Sequence, residues 1–411
     1  MINSLLRLFK HPGLALADFR YALLGSSLHS AGMIGEQVVV GFLVFEITGS
    51  TAWVGISLAI YFLPMLLLGI PAGVLADRFD RKTLLPVVEG LLTLTLSVVF
   101  LILYNGYNKL FWILILIFLT GSFRALHSAI KAGYIFDLTG AAKIVSSLAL
   151  TNFGNRLGQL IGAFMTGILY HQYGSYWAVG ALVAFHGIAT ILFCRLTTAG
   201  KSKFNQSKSI KGSLRDFWSQ LKSNQNLQIL FFLTIGIELF GFSYFTALPE
   251  LAATRLSSGA DGLGYLHACR SIGGICAAIA LTAVLTNQRN YSIYLFTILG
   301  FGLFVASLGY TSIVILTFVF TATIAAMAVS TDILSQSMMQ LIVPDEQRGK
   351  VMGVWVVAVG TAPIGHLLTG YLASLFGVSQ ALIINGSVLV IIGICFYLVT
   401  RTREFAEWQN V

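Results

Sequence analysis

The sequence predicts an all-α membrane protein of twelve transmembrane helices, and three observations support that. Twelve mostly apolar runs are each long enough to cross a bilayer, charged residues make up only 10% of the 411 residues, and the basic residues gather on one side of the runs. A mean hydropathy of +0.83 and 56% hydrophobic content set the chain apart from a soluble domain, in which about a quarter of residues are charged.

The runs in order are Phe19 to Phe45, Ala52 to Ala76, Thr83 to Tyr104, Leu110 to Ala132, Ser146 to Tyr170 and Trp177 to Phe193, followed by Leu227 to Leu251, Gly262 to Leu285, Tyr291 to Tyr310, Ser312 to Met339, Val351 to Phe376 and Ala381 to Thr400. Each meets the requirement of about 20 apolar residues for a spanning helix. The first run is too long for a signal-peptide core and is expected to stay as an anchor. Of the 25 Lys and Arg, twenty lie in or against the N-terminus, the C-terminus and the connections after even-numbered runs. The positive-inside rule then places both termini in the cytoplasm of a bacterial cell and the chain in its inner membrane. Trp53, Trp112 and Trp177 fall at outward-facing ends, where an aromatic belt is expected.

Residues 1–194 read as an N-terminal six-helix bundle, 195–226 as a cytoplasmic linker and 227–411 as a C-terminal six-helix bundle. In the linker, Leu214, Phe217, Trp218 and Leu221 recur at helical spacing beside Arg215 and Lys222. That pattern suits either a short helix lying on the leaflet or a soluble helix packed on loops. The two bundles look like copies. Gly162, Gly167 and Gly174 are matched by Gly365, Gly370 and Gly377, each 203 residues later, and Glu46 is matched by Glu250 at an offset of 204. A parallel repeat is the arrangement expected of a transporter whose halves rock about a central midplane site.

The ten residues from Gly73 to Lys82 place five charges between two apolar runs. Gly73-x-x-x-Asp77-Arg78-x-x-Arg81-Lys82 resembles the signature loop of the major facilitator superfamily, with Asp80 where the commonest form has glycine. The resemblance covers nearly the whole chain. Leu43 to Ser50 and Val343 to Gly353 look most like the branch of bacterial exporters that contains the enterobactin exporter and macrolide efflux proteins. It implies that Gly73, Asp77, Arg78, Arg81 and Asp137 form a conformational latch. Asp77 would face the start of the eleventh run near Gly349 to Val351, and Arg81 would pair with Asp137; a salt-bridge knot that only fixes topology is the alternative. Gly154 to Ala163 resembles the family's fifth-span exporter motif, with Gln159 in place of proline and Ala163 in place of the last glycine.

An ionisable group at the bilayer centre costs at least about 2.5 to 3.5 kcal/mol. Glu36, Arg124, Arg156 and Glu238 therefore need a reason to lie within spans, and the resemblance puts Glu36, Arg124 and Glu238 on helices lining a central cavity. These four, with Gln37, are the expected substrate and proton pathway. Glu36 is either a proton carrier or an ion-pair partner of Arg124 or Arg156. Arg156 either binds an anionic substrate group or neutralises a carboxylate. His267 and Arg270 form a second expected cluster with Glu238, read first as a structural ion pair. His127, three residues from Arg124, reads as a packed hydrogen-bonding group, Glu89 as an outlying member of the latch, and His186 and His366 carry no assignment.

The histidines are scattered along the chain, so no metal site is expected, and no cofactor. No phosphate-binding loop is present to use ATP, no nucleophile, base and orienting group can be assembled into an enzyme, and the sorting of basic residues speaks against nucleic acid. The expectation is a monomeric secondary transporter with lipid, a small-molecule substrate and protons as partners. It would drive proton-coupled export of an amphipathic molecule, either a siderophore or a drug-like compound. An importer of a metabolite or ferric siderophore is the rival within transport, and a membrane scaffold or sensor the rival outside it.

Overall fold

A computed structural model describes residues 12–107, 109–140, 144–200, 219, 221–222, 224–284, 290–343 and 348–402. Among them, the first half supplies α1 (Ala17–Thr48), α2 (Thr51–Arg78), α3 (Arg81–Tyr104), α4 (Leu110–Thr139), α5 (Ile144–Tyr173) and α6 (Ser175–Cys194). The second supplies α7 (Gln225–Thr254), α8 (Ala260–Val284), α9 (Asn290–Tyr310), α10 (Val314–Leu341), α11 (Arg348–Val359 and Ala362–Phe376) and α12 (Val378–Thr402). Eleven of these helices are long and apolar enough to cross a membrane. The exception is α5, whose Asn152, Asn155, Arg156 and Gln159 dilute its hydropathy. Apolarity alone therefore supports eleven of the twelve expected spans.

The chain divides into two compact units. The first contains Met1–Ile47, Leu63–Ile210 and Gly259–Ala268; the second contains Thr48–Phe62, Lys211–Ser258 and Cys269–Val411. Within the first, α3 packs along α6; within the second, α9 packs along α12. The matched glycines explain the likeness. A Cβ on Gly162 would overlap the Ala31 carbonyl of α1, and a Cβ on Gly365 would lie 2.7 Å from the Leu239 carbonyl oxygen of α7. Helices without a hydrophobic drive between them approach closely where side chains are this small. Gly167 meets Gly264, and Gly370 meets Ala52, in the same way. Gly174 and Gly377, at φ of +93° and +83°, sit in the left-handed region that lets the chain turn into α6 and α12.

The second unit has a break that the sequence did not announce. After Gly236, α7 passes through a π turn at Ile237–Gly241 and a 3-10 turn at Phe242–Ala247 before becoming α-helical again. π turns inside helices are rare and concentrate at functional sites. Glu238 lies in this one.

Trp53, Trp112 and Trp177 are 40%, 50% and 51% exposed, as an aromatic belt requires. All four cysteines are unpaired. Apart from Ser219, Leu221 and Lys222, the expected linker helix lies outside the described residues.

Candidate functional site: a buried histidine and carboxylate cluster

Four helices of the first unit send polar side chains to one point. Glu89 of α3, wholly buried, lies at the centre. His29 Nδ1 from α1 is 2.9 Å from Glu89 Oε2, His127 Nδ1 from α4 is 2.8 Å from the same oxygen, and His186 Nδ1 from α6 is 2.8 Å from Oε1. The His186 ring continues outward, with Nε2 3.4 Å from Glu36 Oε1 of α1. Glu36 in turn feels the charge of Arg124, and Glu89 that of Lys131.

Local sequence explains the gathering. Glu36 and His29 are seven residues apart, two turns along one face of α1; Arg124, His127 and Lys131 are spaced by three and four on α4. Space for the His186 ring comes from Gly32. A Cβ there would overlap Nε2 and lie 2.5 Å from Cδ2 and 2.8 Å from Cε1. The burial of Glu36, His29, His127 and His186, none more than 4% exposed, makes the hydrogen bonds of His29 and His186 to Glu89 and the opposite charges nearby necessary rather than decorative.

A donor atom from each of His29, Glu89 and His127 lies within 4.8 Å of the others, a spacing that draws attention to a metal ion. The donors fit one poorly. The rings of His29 and His127 are stacked at 3.7 Å with planes 4° apart, so their in-plane lone pairs run side by side instead of converging. Two carboxylates are already offset by one guanidinium and one ammonium group, leaving no excess negative charge to hold a divalent cation.

The other expected pathway residues are placed as follows. Gln37 is buried beside Glu36, and Arg156 is half-buried on α5, donating from a guanidinium N–H to Gln159 Oε1 at 3.2 Å. Gln159, the departure from the exporter motif, thus holds Arg156, while Gly158 and Gly162 pack on the backbone of Ser27 and Ala31. In the second unit, Glu238 is buried and close enough to Asp332 of α10 to interact with it electrostatically. His267 belongs to the first unit, whereas Arg270 belongs to the second. There Arg270 lies 3.5 Å from the centre of the Phe245 ring and 5.7 Å from that of Tyr244, a cation–π stack.

For the latch, Arg81 donates to Asp137 Oδ2 at 2.8 Å and to the Ala76 carbonyl at 2.9 Å. Asp80 caps α3 by accepting from the Lys82 N–H, and also accepts from the Gly200 N–H, which gives the unusual residue at this position a structural use. Gly73 has open space around it and Arg78 is exposed. The side chain of Asp77 lies outside the described residues, as does that of Lys350. The histidine cluster is what the sequence missed. Its signal was the helical spacing on α1 and α4, but nothing local ties those faces to Glu89 and His186.

A polytopic bundle with matched halves, a signature loop closed by Arg81 and Asp137, and charges buried within its spans defines a membrane transporter of the major facilitator type. The family model described as "Transmembrane secretion effector" matches residues 12–410, and the chain belongs to that family. It is 23% identical to the staphyloferrin A transporter of Staphylococcus aureus (strain NCTC 8325 / PS 47), over 89% of this chain and 92% of that protein. It is 26% identical to the enterobactin exporter EntS of Shigella boydii serotype 18 (strain CDC 3083-94 / BS512), over 93% of this chain and 91% of that one. Its fold matches the crystal structure of the nucleoside transporter NupG, with a TM-score of 0.73 at 13% identity over 93% of this chain and 99% of that one.

Proposed function

We propose that this transporter couples entry of protons to export of a small amphipathic molecule of the siderophore or drug-like kind. The coupling rests on one observation: Glu36 is buried in a span, is balanced by Arg124, and touches a histidine that leads to a second buried carboxylate. A group that changes charge inside the bilayer is what gradient-driven transport requires. Export and the siderophore class are supported by the enterobactin exporter among the relatives and by the family's description as a secretion effector. Glu36, Gln37, Arg124 and Arg156 in the first unit, and Glu238 at the π turn in the second, form the substrate and proton pathway. Arg81 and Asp137 act as the latch of the loop between α2 and α3, with the termini cytoplasmic and the chain working as a monomer.

The test is transport of enterobactin, with a macrolide in parallel, by the full chain in liposomes carrying an imposed pH gradient. Wild-type protein should move at least one of them against its concentration gradient, and Glu36→Gln should abolish the response to the gradient. Undiminished proton-driven transport by Glu36→Gln removes Glu36 as the carrier. Comparing everted with right-side-out vesicles fixes the direction, and uptake into right-side-out vesicles would overturn export.

A further inference from the structure

We infer that Glu36, His186 and Glu89 form an internal proton relay in the first unit, with His29 and His127 holding its far end. This deepens the proton-coupled reading above and rests on it. His186 presents one ring nitrogen to each carboxylate, Nδ1 to Glu89 at 2.8 Å and Nε2 to Glu36 at 3.4 Å. Imidazole is suited to this place because it can take a proton at one nitrogen while releasing another from the second.

The step balances as follows. A proton on Glu36 passes to Nε2, the proton on Nδ1 passes to Glu89, and Glu36 is left as the carboxylate while the ring has exchanged tautomers. The 3.4 Å gap is longer than an ordinary N–H···O bond, so transfer takes a small tilt of the ring or one intervening water.

The relay has a direction. Along α1, Glu36 lies two turns, about 10 Å, beyond His29 toward the Thr48 end. Glu89 is hydrogen-bonded to His29. A proton that moves from Glu36 to Glu89 therefore moves toward the end of α1 that the basic residues assign to the cytoplasm.

The groups facing the relay are Glu36 and His29 from α1, Glu89 from α3, Arg124, His127 and Lys131 from α4, and His186 from α6. With neutral imidazoles, two carboxylates balance two cations. One added proton is then the only uncompensated charge, and three imidazoles around one carboxylate can share it.

Packing does not demand these residues. His186 is the twelfth residue after the turn glycine Gly174, and the twelfth after Gly377 in the matched half is Leu389, also wholly buried. The same position in the repeated framework is filled by a plain hydrocarbon, so the histidine and its partners serve something other than contact between helices.

The test uses the full chain purified into liposomes. Infrared difference spectra between about pH 8 and about pH 5 report carboxyl and imidazole protonation with no substrate present. The carboxyl and imidazole bands of the difference spectrum should change in Glu89→Gln and in Glu36→Gln. In His186→Gln, whose amide reaches both carboxylates without passing a proton, replacing one carboxylate should leave the bands of the other unaltered. Spectra unaffected by Glu89→Gln would overturn the relay. So would a divalent metal that copurifies one per chain and is lost in His29→Ala. A second readout is enterobactin transport driven by a pH gradient, divided by enterobactin counterflow. This ratio should fall at least about tenfold in His186→Gln, and an unchanged ratio refutes the relay. Should His186→Gln fail to fold, His186→Leu, which places there the residue found at the matched position 389, fills the space without a transferable proton and should give the same loss. If wild-type protein exchanges enterobactin but ignores the gradient, the proton-coupled reading fails, and the infrared result still decides the relay.

Discussion

Replacing Gly32 by alanine tests whether the His186 ring is held where its hydrogen bond to Glu89 requires. The new Cβ would stand 2.5 Å from Cδ2 and 2.8 Å from Cε1 of that ring. Ordinary carbon contacts begin at about 3.5 Å, so the ring must retreat by about 1 Å. A retreat of that size along the 2.8 Å bond from Nδ1 to Glu89 takes it beyond hydrogen-bonding distance, and a retreat across it bends the bond. Overpacking a filled interior costs about 1–3 kcal/mol, and losing a hydrogen bond to a charged group costs about 1.5–3 kcal/mol more. Together they give about 2.5–6 kcal/mol, a large share of a typical protein's stability.

The assay is equilibrium unfolding in mixed micelles, followed by tryptophan fluorescence, of Gly32→Ala, His186→Ala and the double variant. Removing the ring removes the clash, so Gly32→Ala should cost under about 1 kcal/mol in the His186→Ala background, and the two changes should be coupled by at least about 1.5 kcal/mol. Equal costs of Gly32→Ala in both backgrounds would refute the reasoning.

Asp137→Asn removes the carboxylate from a pair whose side chains are 10% and 16% exposed. It should cost about 1–3 kcal/mol, below the value for a fully buried pair; unfolding midpoints should show part of that loss recovered when Arg81→Asp is combined with Asp137→Arg. Gly158→Ala would push a Cβ onto the Ser27 carbonyl and should destabilise by about 1–3 kcal/mol. Gly73→Ala, with nothing within 4 Å, should be neutral or stabilising by up to about 1 kcal/mol, so a transport defect at Gly73 measured in liposomes would reflect the conformational cycle. Phe245→Leu removes the ring under Arg270 and should cost about 0.5–2 kcal/mol in the same unfolding measurement.

What the sequence reveals and what it hides divide along a physical line. The spans are visible because a bilayer demands a long apolar run wherever the chain crosses it. The repeat is visible because glycine at a tight crossing cannot be exchanged, so Gly162 and Gly365 keep their offset. Arg81 and Asp137 are readable because the signature loop ties one to the other. By contrast, helical spacing gives the polar face of α1 and of α4 but not the rotation of each helix against its neighbours. Placing His29 beside His127, and both on Glu89, depends on those rotations. The π turn at Glu238 is hidden for a similar reason, since its apolar neighbours read as unbroken helix. Arg270 finds an aromatic face because Phe245 sits on the 3-10 turn that follows.

The likeness of the two halves also bears on how a proton gradient would be used. Their frameworks coincide at the glycines, in the pairing of α3 with α6 and of α9 with α12, and in the turns before α6 and α12. Their buried chemistry does not. The first unit gathers three imidazoles and two carboxylates with Arg124 and Lys131, whereas the second sets Glu238 near Asp332 at a break in α7 and lays Arg270 on an aromatic ring. A repeat shaped only by folding would carry similar interiors, since each half solves the same packing problem. Divergence in buried charge, which costs several kcal/mol wherever it is kept, and in the break of α7 sets the two halves apart chemically. Under the proposed coupling, proton handling is assigned to the half with the self-balanced histidine cluster, and the substrate to the broken helix of the other half, where backbone groups are freed from the regular ladder.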